Sequence, residues 1–348
     1  MKQFILHNWI LCLLVVMTGC SKDDAGAVDS AQSPIEFTTD GPALFITRSV
    51  IENNSHLQAA GFGVLAYMKG TNGATACYDG GDNWNSGAPN FMYNQQVSWS
   101  TDHWTYSPVK YWPNDNNPAD GSGAEGSQTN SYVSFFAYAP YTDLSSSPAI
   151  GITGLSANSA TTAPTITYVW DAEADLLYDA KPDCYKTDAA GDGRVSGAVQ
   201  FSFKHALALV KFKVRRSSGF SLAVTLKSLT VSGFLTRGTF DLGAKTPSWS
   251  STTGSDSKTF DPEPDMKVTK DTEATAHEIG SSLMIPATPE LSAPVLSYTI
   301  NYSVGPHENT KTDNISLTSY EMGYQYTIIF TIDADGIIVD TEKYTEQW

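Results

Sequence analysis

The sequence predicts an all-β protein of the sandwich type. Apolar and polar residues alternate in short runs, most clearly at 199–203 and 209–214, and such alternation buries one face of a sheet. Glycine, proline and asparagine separate these runs, and no amphipathic helix longer than two or three turns is evident. Strands spaced in this way, in a chain with 11% aromatic residues, favour sandwiches.

The first predicted element is an export signal, residues 1–19. Lys2 precedes an apolar run at 9–17, and two small residues lead to Cys20. This order is typical of a lipoprotein signal peptide, in which the cysteine is acylated and becomes the new N-terminus. The apolar run is short for a bilayer span, which needs about 20 residues. An uncleaved membrane anchor or an ordinary cleaved signal is the alternative to a lipid tether at Cys20.

Residues 20–34 are predicted to be a flexible linker after the acylated cysteine. Lys22, Asp23 and Asp24 follow it closely and resemble the lysine-acidic signal that routes some bacterial lipoproteins to the outer surface. A plain soluble linker would have the same small and polar composition. The expected location is therefore the cell surface, as an outer-membrane lipoprotein precursor.

Strand patterns follow in order along the rest of the chain. The predicted strands are 35–38, 43–47, 63–68, 132–138, 199–203, 209–214, 224–231, 238–242, 282–285, 295–302, 324–332 and 336–340. Between the last two, Asp333-Ala334-Asp335-Gly336 predicts a tight hairpin turn, because Asp-Gly supplies positive φ angles. A calcium loop is the weaker interpretation, since the apolar residues 337–339 stand where ligands would be needed.

Three segments interrupt the strand pattern. Residues 71–90 and 113–130 are rich in Gly, Asn, Asp and Ser and are predicted to be long loops. The region 171–196 is predicted to be irregular, because Pro182 and two nearby glycines break it. The sheet-like pattern restarts near 200–207, which predicts an N-terminal domain at 35–204 and a C-terminal domain at 205–348.

The composition and motifs exclude several classes of function. Acidic residues outnumber basic ones 37 to 21, and a net charge of −16 argues against nucleic acid as a partner. No nucleophile elbow, P-loop, dinucleotide fingerprint or zinc-protease motif is present, and none of the six histidines has metal-site spacing. We therefore expect no catalytic residues, no metal and no cofactor, and the protein is not predicted to be an enzyme.

Cysteine and tryptophan residues leave alternatives open. Once the signal is removed and Cys20 is acylated, Cys77 and Cys184 remain, and they could form a disulfide or be two separate buried thiols. The tryptophans of the first half could stack on sugar rings, although packing in the core of a β domain is the favoured interpretation. These tryptophans are Trp84, Trp99, Trp104 and Trp112.

Several segments together resemble the fimbrillin family, the lipoprotein pilins of anaerobic Gram-negative bacteria. In order they are Trp104-Thr105-Tyr106-Ser107-Pro108-Val109-Lys110-Tyr111-Trp112-Pro113, residues 133–141, Asp175-Leu176-Leu177, Phe201-Ser202-Phe203-Lys204-His205-Ala206-Leu207, Gly238-Thr239-Phe240, Leu283-Met284-Ile285-Pro286 and Gly323-Tyr324-Gln325-Tyr326-Thr327. The resemblance implies two transthyretin-like β-sandwich domains in tandem, with long loops. It also implies assembly into a surface pilus with other pilin subunits, anchored by lipid in the outer membrane, and a host or bacterial surface receptor.

The resemblance further implies an assembly mechanism. In this family a protease cuts after an arginine beyond the first strand, and a C-terminal strand of another subunit fills the groove that opens. Arg48, followed by Ser49, is the only arginine before Arg194 and is the candidate cleavage site; an ordinary surface arginine is the alternative. The candidate donor strand contains Ile337, Ile338, Val339, Tyr344 and Trp348, although this hairpin could instead complete the sheet of its own domain.

The sequence therefore predicts a structural or adhesive fimbrial subunit, exported as a lipoprotein precursor and assembled by proteolysis-triggered donor-strand exchange. A surface glycan-binding lipoprotein is the alternative, which the tryptophans suggest. A hydrolase would need a cleft with paired carboxylates, and the sequence gives no basis for choosing the pair.

Overall fold

The computed structural model describes residues 33–40, 51, 53–68, 91–112, 133–145, 151–156, 163–171, 174–186, 194–195, 197–269, 276–288, 291 and 294–347. These residues form 22 strands and one helix. The strands are β1 (Phe37–Asp40), β2 (Phe62–Met68), β3 (Met92–Ser100), β4 (His103–Thr105), β5 (Val133–Ala139), β6 (Gly151–Leu155), β7 (Ile166–Val169), β8 (Leu177–Lys186), β9 (Arg194–Val195), β10 (Val199–Ser202), β11 (Lys204–His205), β12 (Ala208–Arg216), β13 (Val224–Phe234), β14 (Arg237–Asp241), β15 (Ser248–Thr253), β16 (Asp256–Phe260), β17 (Met266–Val268), β18 (His277–Met284), β19 (Ser297–Val304), β20 (His307–Asn314), β21 (Tyr324–Asp333) and β22 (Gly336–Gln347). The predicted all-β class is confirmed.

The one helix among the described residues, α1 (Asn54–Ala60), is two turns long. The side chain of Asn53 accepts a hydrogen bond from the backbone N–H of His56 and caps its start. Gly61 ends it at φ 64°, a conformation that glycine adopts readily. Within the described ranges, no helix is long and apolar enough to cross a membrane.

A seven-stranded sheet forms the centre of the N-terminal half. Its order is β11-β8-β5-β2-β3-β4, with β9 paired to β8. All seven side chains of β5 are buried, because both faces of this sheet are covered. One face packs on β1 and β10, a two-stranded parallel pair, and encloses an aromatic core that includes Phe62, Phe135 and Phe201.

The other face of this sheet contributes Tyr138 and Tyr178 to a second core, which also contains Phe240 of the four-stranded sheet β15-β14-β7-β6. That sheet joins strands from both sides of residue 204, with β14 pairing antiparallel to β7. The division into domains 35–204 and 205–348 stays a prediction, and the pairing of β7 with β14 connects its two sides.

Two further sheets form a sandwich in the C-terminal half. One has the order β18-β12-β21-β22, and the other has the order β16-β13-β19-β20, with β17 also paired to β13. Between them lie buried residues such as Phe212, Leu229 and Ile300, and the Tyr298 and Phe330 rings are 4.9 Å apart. The apolar residues that alternate with polar ones in β12 are therefore buried on the side of this strand that faces the core, as the sequence predicted.

The region 171–196 was predicted to be irregular, and this prediction is wrong over β8. This ten-residue strand runs through Pro182 and pairs with β5. The register shifts where Pro182 and Asp183 lie, and Asp183 has φ 49° there. Proline is tolerated in a strand at such a bulge, because no ladder hydrogen bond is required of it.

Candidate functional site

The candidate site is the extended segment 33–40, which ends in β1 and fills a groove in the aromatic core. Its side chains alternate in direction, as β geometry requires. Ile35 and Phe37 point inward and are 1% and 4% exposed, whereas Pro34, Glu36 and Thr38 face solvent. This eight-residue segment, which begins the described part of the chain, therefore contributes two apolar side chains to the core.

One edge of the segment pairs with β10. The pairing is parallel and places Phe37 opposite Val199 and Thr38 opposite Gln200. The backbone N–H of Val199 donates to the carbonyl of Glu36 over 2.7 Å. The partner strand lies about 160 residues further along the sequence, so no local signal marks it.

The opposite edge pairs with the segment that follows β4. The backbone N–H of Ile35 donates to the carbonyl of Lys110 over 2.8 Å, and that of Trp112 donates to the carbonyl of Ser33 over 3.0 Å. An antiparallel bridge joins Pro34 and Tyr111 between these bonds. The segment therefore has hydrogen-bonded neighbours on both edges, as an interior strand does.

Phe37 is the centre of the packing in the groove. Its ring lies 5.6 Å from that of Phe201 in a stacked arrangement and 5.4 Å from that of Tyr106. The rings of Phe135 and Phe62 lie 5.8 and 6.1 Å away and meet it edge-on. Such aromatic pairs contribute about 0.5–1.5 kcal/mol each beyond the area that they bury.

Polar groups at fixed positions line the same groove. The hydroxyl of Tyr106 donates to the carbonyl of Ile35 over 2.8 Å, and burial raises the pKa of Tyr106. The indole N–H of Trp104 donates to the hydroxyl of Thr39 over 3.1 Å. These donors fix the register of the segment, because a shift along the groove would leave them without these acceptors.

The last residue of β1 makes the most exposed contacts. The carboxylate of Asp40 accepts from the side-chain amide of Gln200 over 2.6 Å and from the hydroxyl of Ser202 over 3.4 Å. Residues 41–50, which include the candidate cleavage site Arg48–Ser49, lie outside the described residues.

The chain is anchored again at Ile51, immediately after those residues. Its backbone N–H donates to Asp175 over 3.1 Å, and Asp175 is 3% exposed. The same carboxylate accepts from the N–H of Leu176 over 2.8 Å and lies 3.0 Å from Nδ1 of His205. Sequence reasoning missed this buried pair, although both residues lie in segments that carried the family resemblance.

The candidate donor strand lies in β22. This strand pairs with β21 from Gly336 to Gln347 and is the outer strand of its sheet, so the hairpin completes its own sheet. The two-residue turn, with Gly336 at φ 142°, confirms the predicted tight hairpin. Ile337 and Val339 are partly buried against the core, and Ile338 is 55% exposed.

A lysine near the end of β22 makes an ion pair and a cation–π contact. The ammonium group of Lys343 is 2.7 Å from the carboxylate of Glu321 and 4.0 Å from the centre of the Tyr324 ring. The hydrogen bond to Glu321 raises the pKa of Lys343. The backbone of Tyr344 belongs to β22, and Trp348 lies outside the described residues.

Of the remaining sites that the sequence suggested, Cys184 is described and is buried. Its thiol donates to the carbonyl of Lys181 over 3.4 Å, and burial raises its pKa to about 12. Cys20 and Cys77 lie outside the described residues, so both alternatives for Cys77 and Cys184, a disulfide or two separate thiols, stay open. Among the residues that the structure covers, no group of three or more metal-ligating side chains comes together.

The tryptophans do not form a common platform for sugars in the described part of the chain. Trp112 and Trp104 are 1% and 8% exposed and belong to the aromatic core. Trp99 is partly buried, and its ring meets that of Trp104 edge-on at 5.2 Å. Core packing is therefore the role of these three, and Trp84 lies outside the described residues.

Comparison with known proteins gives three relevant matches. A family model described as fimbrillin-like matches residues 127–348. Fimbrium subunit Fim1C of Phocaeicola vulgatus is 31% identical over 220 residues, which are 57% of this chain and 48% of that protein. The chain thus matches about half the length of this curated relative.

The third match is a solved structure. It is a fimbrial protein from Bacteroides vulgatus, which superimposes with a TM-score of 0.61 at 22% identity and covers 90% of this chain and 99% of its own. At this identity the likeness shows the fold.

Proposed function

The chain belongs to the fimbrillin-like family, and from this membership we propose that it is a structural or adhesive fimbrial subunit. It is exported as a lipoprotein precursor, acylated at Cys20, and carried to the outer face of the outer membrane. Its partners are other pilin subunits, joined through strand exchange, and a receptor on a host or bacterial surface. The names of the relatives support this proposal, since both are fimbrial proteins.

The observation that supports the assembly mechanism is the segment 33–40, which is paired and buried like an interior strand. It is bonded on both edges, and it inserts Ile35 and Phe37 into the core. Only the link through residues 41–50 connects it to the anchor at Ile51. A cut after Arg48 would leave it held by non-covalent contacts alone.

Loss of this segment would uncover apolar side chains and backbone hydrogen-bonding groups that a replacement strand could cover. The inner wall of the groove would expose the rings of Phe62, Phe135 and Phe201, and the facing backbone groups of β10 would lose their partners. An extended strand from another subunit satisfies both needs, because its backbone restores the ladder and its alternate side chains fill the pockets. The candidate donor is β22 with Ile337, Ile338, Val339, Tyr344 and Trp348.

The assembly mechanism is tested by cleavage of the purified chain with an Arg-specific protease. Four further arginines are present, Arg194, Arg215, Arg216 and Arg237, and all four lie within paired strands, which should slow cleavage there. We expect one early cut after Arg48, seen by intact mass, followed by concentration-dependent oligomers in size-exclusion chromatography. The variant Arg48→Ala should stay intact and monomeric under the same conditions. A cleanly cut chain that stays monomeric at high concentration would contradict the mechanism.

A further inference from the structure

The strand that fills the groove and the candidate donor strand share a residue pattern. Residues 35–40 read Ile-Glu-Phe-Thr-Thr-Asp, and residues 337–342 read Ile-Ile-Val-Asp-Thr-Glu. Both have Ile at the first position, an apolar residue at the third, Thr at the fifth and an acid at the sixth. We infer that residues 337–342 of a second copy take the places of residues 35–40, with Ile337 in the pocket of Ile35. This register rests on the proposed strand exchange.

The inward positions of the groove fit this register. The pocket of Ile35 receives an identical side chain, and the pocket of Phe37 receives Val339, which is apolar but smaller. Thr341 takes the place of Thr39, so its hydroxyl accepts the hydrogen bond from the indole N–H of Trp104. The two pockets thus receive apolar side chains, and the indole N–H of Trp104 again donates to a threonine hydroxyl.

The outward and terminal positions fit as well. Glu342 arrives at the place of Asp40, where the amide of Gln200 and the hydroxyl of Ser202 donate to a carboxylate. Ile338 and Asp340 point to solvent in this register. Ile338 is already 55% exposed in its own sheet, so an outward position costs it little burial.

Registers shifted by two residues fail at buried positions. A shift that brings Val339 to the pocket of Ile35 also brings Lys343 to the partly buried place of Thr39, and Thr341 to the pocket of Phe37. The opposite shift brings Asp335 to the pocket of Ile35, which is 1% exposed. A charged or polar group buried there without a partner is costly. The tail beyond Lys343 does not fit the groove either, because a register with Tyr344 at the place of Ile35 would bury Glu346 in the pocket of Phe37.

Transfer changes the bonded neighbours of the strand. In its own sheet β22 has one bonded neighbour among the described strands, β21. In the groove, the segment has β10 on one edge and the stretch around Lys110 on the other. In this register Ile337 takes the place of Ile35, so the transferred segment gains on its second edge the hydrogen bond to the carbonyl of Lys110.

The register is tested by disulfide trapping between two copies. Thr38 lies opposite Gln200, so this register places Asp340 of the donor opposite Gln200 of the acceptor. Paired strands lie about 4.7–4.9 Å apart, within the Cα separation of about 4.4–6.8 Å that a disulfide tolerates. Arg48-cleaved Gln200→Cys protein is mixed with Asp340→Cys protein and oxidised with copper phenanthroline, and the linked peptides are identified by mass spectrometry.

The expected result is a disulfide between positions 200 and 340 in the mixture, which is lost in uncleaved protein and in each single variant alone. Ile338→Cys and Glu342→Cys report the two shifted registers, and we expect neither to link to position 200. Oligomers that trap through position 338 or 342 would overturn the register and leave strand exchange intact. Clean cleavage without any oligomer would instead overturn the proposed function.

A second measurement does not depend on cysteine variants. A fluorescent peptide of residues 336–343 should bind the cleaved chain, as measured by anisotropy, and should not bind the uncleaved chain. Val339→Asp in the peptide should abolish binding, whereas Ile338→Asp, the adjacent outward position, should leave it nearly unchanged. Equal loss from both substitutions would refute the assigned inward face. A peptide of residues 33–40 that binds when the first peptide does not would show an open groove with a different donor.

Discussion

Replacement of Phe37 by alanine tests how firmly the groove is held by its resident segment. The ring is 4% exposed and contacts four other aromatic rings at 5.4–6.1 Å. Loss of its buried area alone accounts for about 1.5–3 kcal/mol. The cavity left among rings that belong to several strands adds to this, and Phe→Ala changes in cores cost about 3–5 kcal/mol in total.

The assay is urea unfolding of the uncleaved chain, followed by tryptophan fluorescence, because Trp104 and Trp112 belong to the same core. Thr38→Ala is the matched control, since this neighbour in β1 faces solvent and should change the free energy of unfolding by about 0.5 kcal/mol or less. A Phe37→Ala variant as stable as Thr38→Ala would refute the view that this segment completes the core. The same result would remove the driving force for a replacement strand.

Three other substitutions or reactions probe the described structure. Asp175→Asn should lower the free energy of unfolding by about 3 kcal/mol, because it leaves the buried His205 without its carboxylate partner. The thiol of Cys184 should resist alkylation at pH 8 in the folded chain and react after unfolding, because a pKa raised to about 12 keeps it protonated at that pH; mass spectrometry of the labelled peptides measures both. Gly63→Ala should destabilise the chain by about 1–3 kcal/mol in urea unfolding, since the added methyl group would overlap the buried ring of Tyr138.

Matched controls separate these effects from general damage. Asp102→Asn also alters a carboxylate beside a histidine, but on the surface, and should leave stability unchanged. Gly219→Ala places a methyl group in open space and should be neutral. Fast alkylation of Cys184 in the folded chain, or equal losses in a test variant and its control, would contradict the burial assigned to these sites.

Local sequence patterns predicted the parts of the fold that depend on neighbouring residues. The alternation in β12 and the hairpin turn before β22 are both short-range signals, and both elements form. The turn residues are Ala334 and Asp335, and of the Asp-Gly pair only Gly336 has a positive φ. β8 was missed because Pro182 interrupts the pattern, whereas in the structure a bulge absorbs it. β20 was missed because nearly all of its side chains are polar and exposed, and it exists through its pairing with β19.

The candidate site was only partly predictable, since its chemistry comes from contacts between distant residues. The sequence indicated a strand near 35–38 but not its parallel partner β10. The tryptophans could be interpreted as a sugar platform because a linear pattern does not show which rings pack on which. In the structure, the Nε1 atom of Trp104 bonds to Thr39 instead.

The same contacts explain why one segment can be both essential and replaceable. Ile35 and Phe37 complete a core whose other members come from β2, β5 and β10, so the fold needs some strand at this place. It does not need this particular covalent connection, because the chain is anchored independently at Ile51 by Asp175. The groove requires a strand with apolar side chains at alternate positions, and the outer strand β22 has a similar pattern. In the proposed assembly, β22 of a neighbouring subunit can therefore replace segment 33–40 in this core.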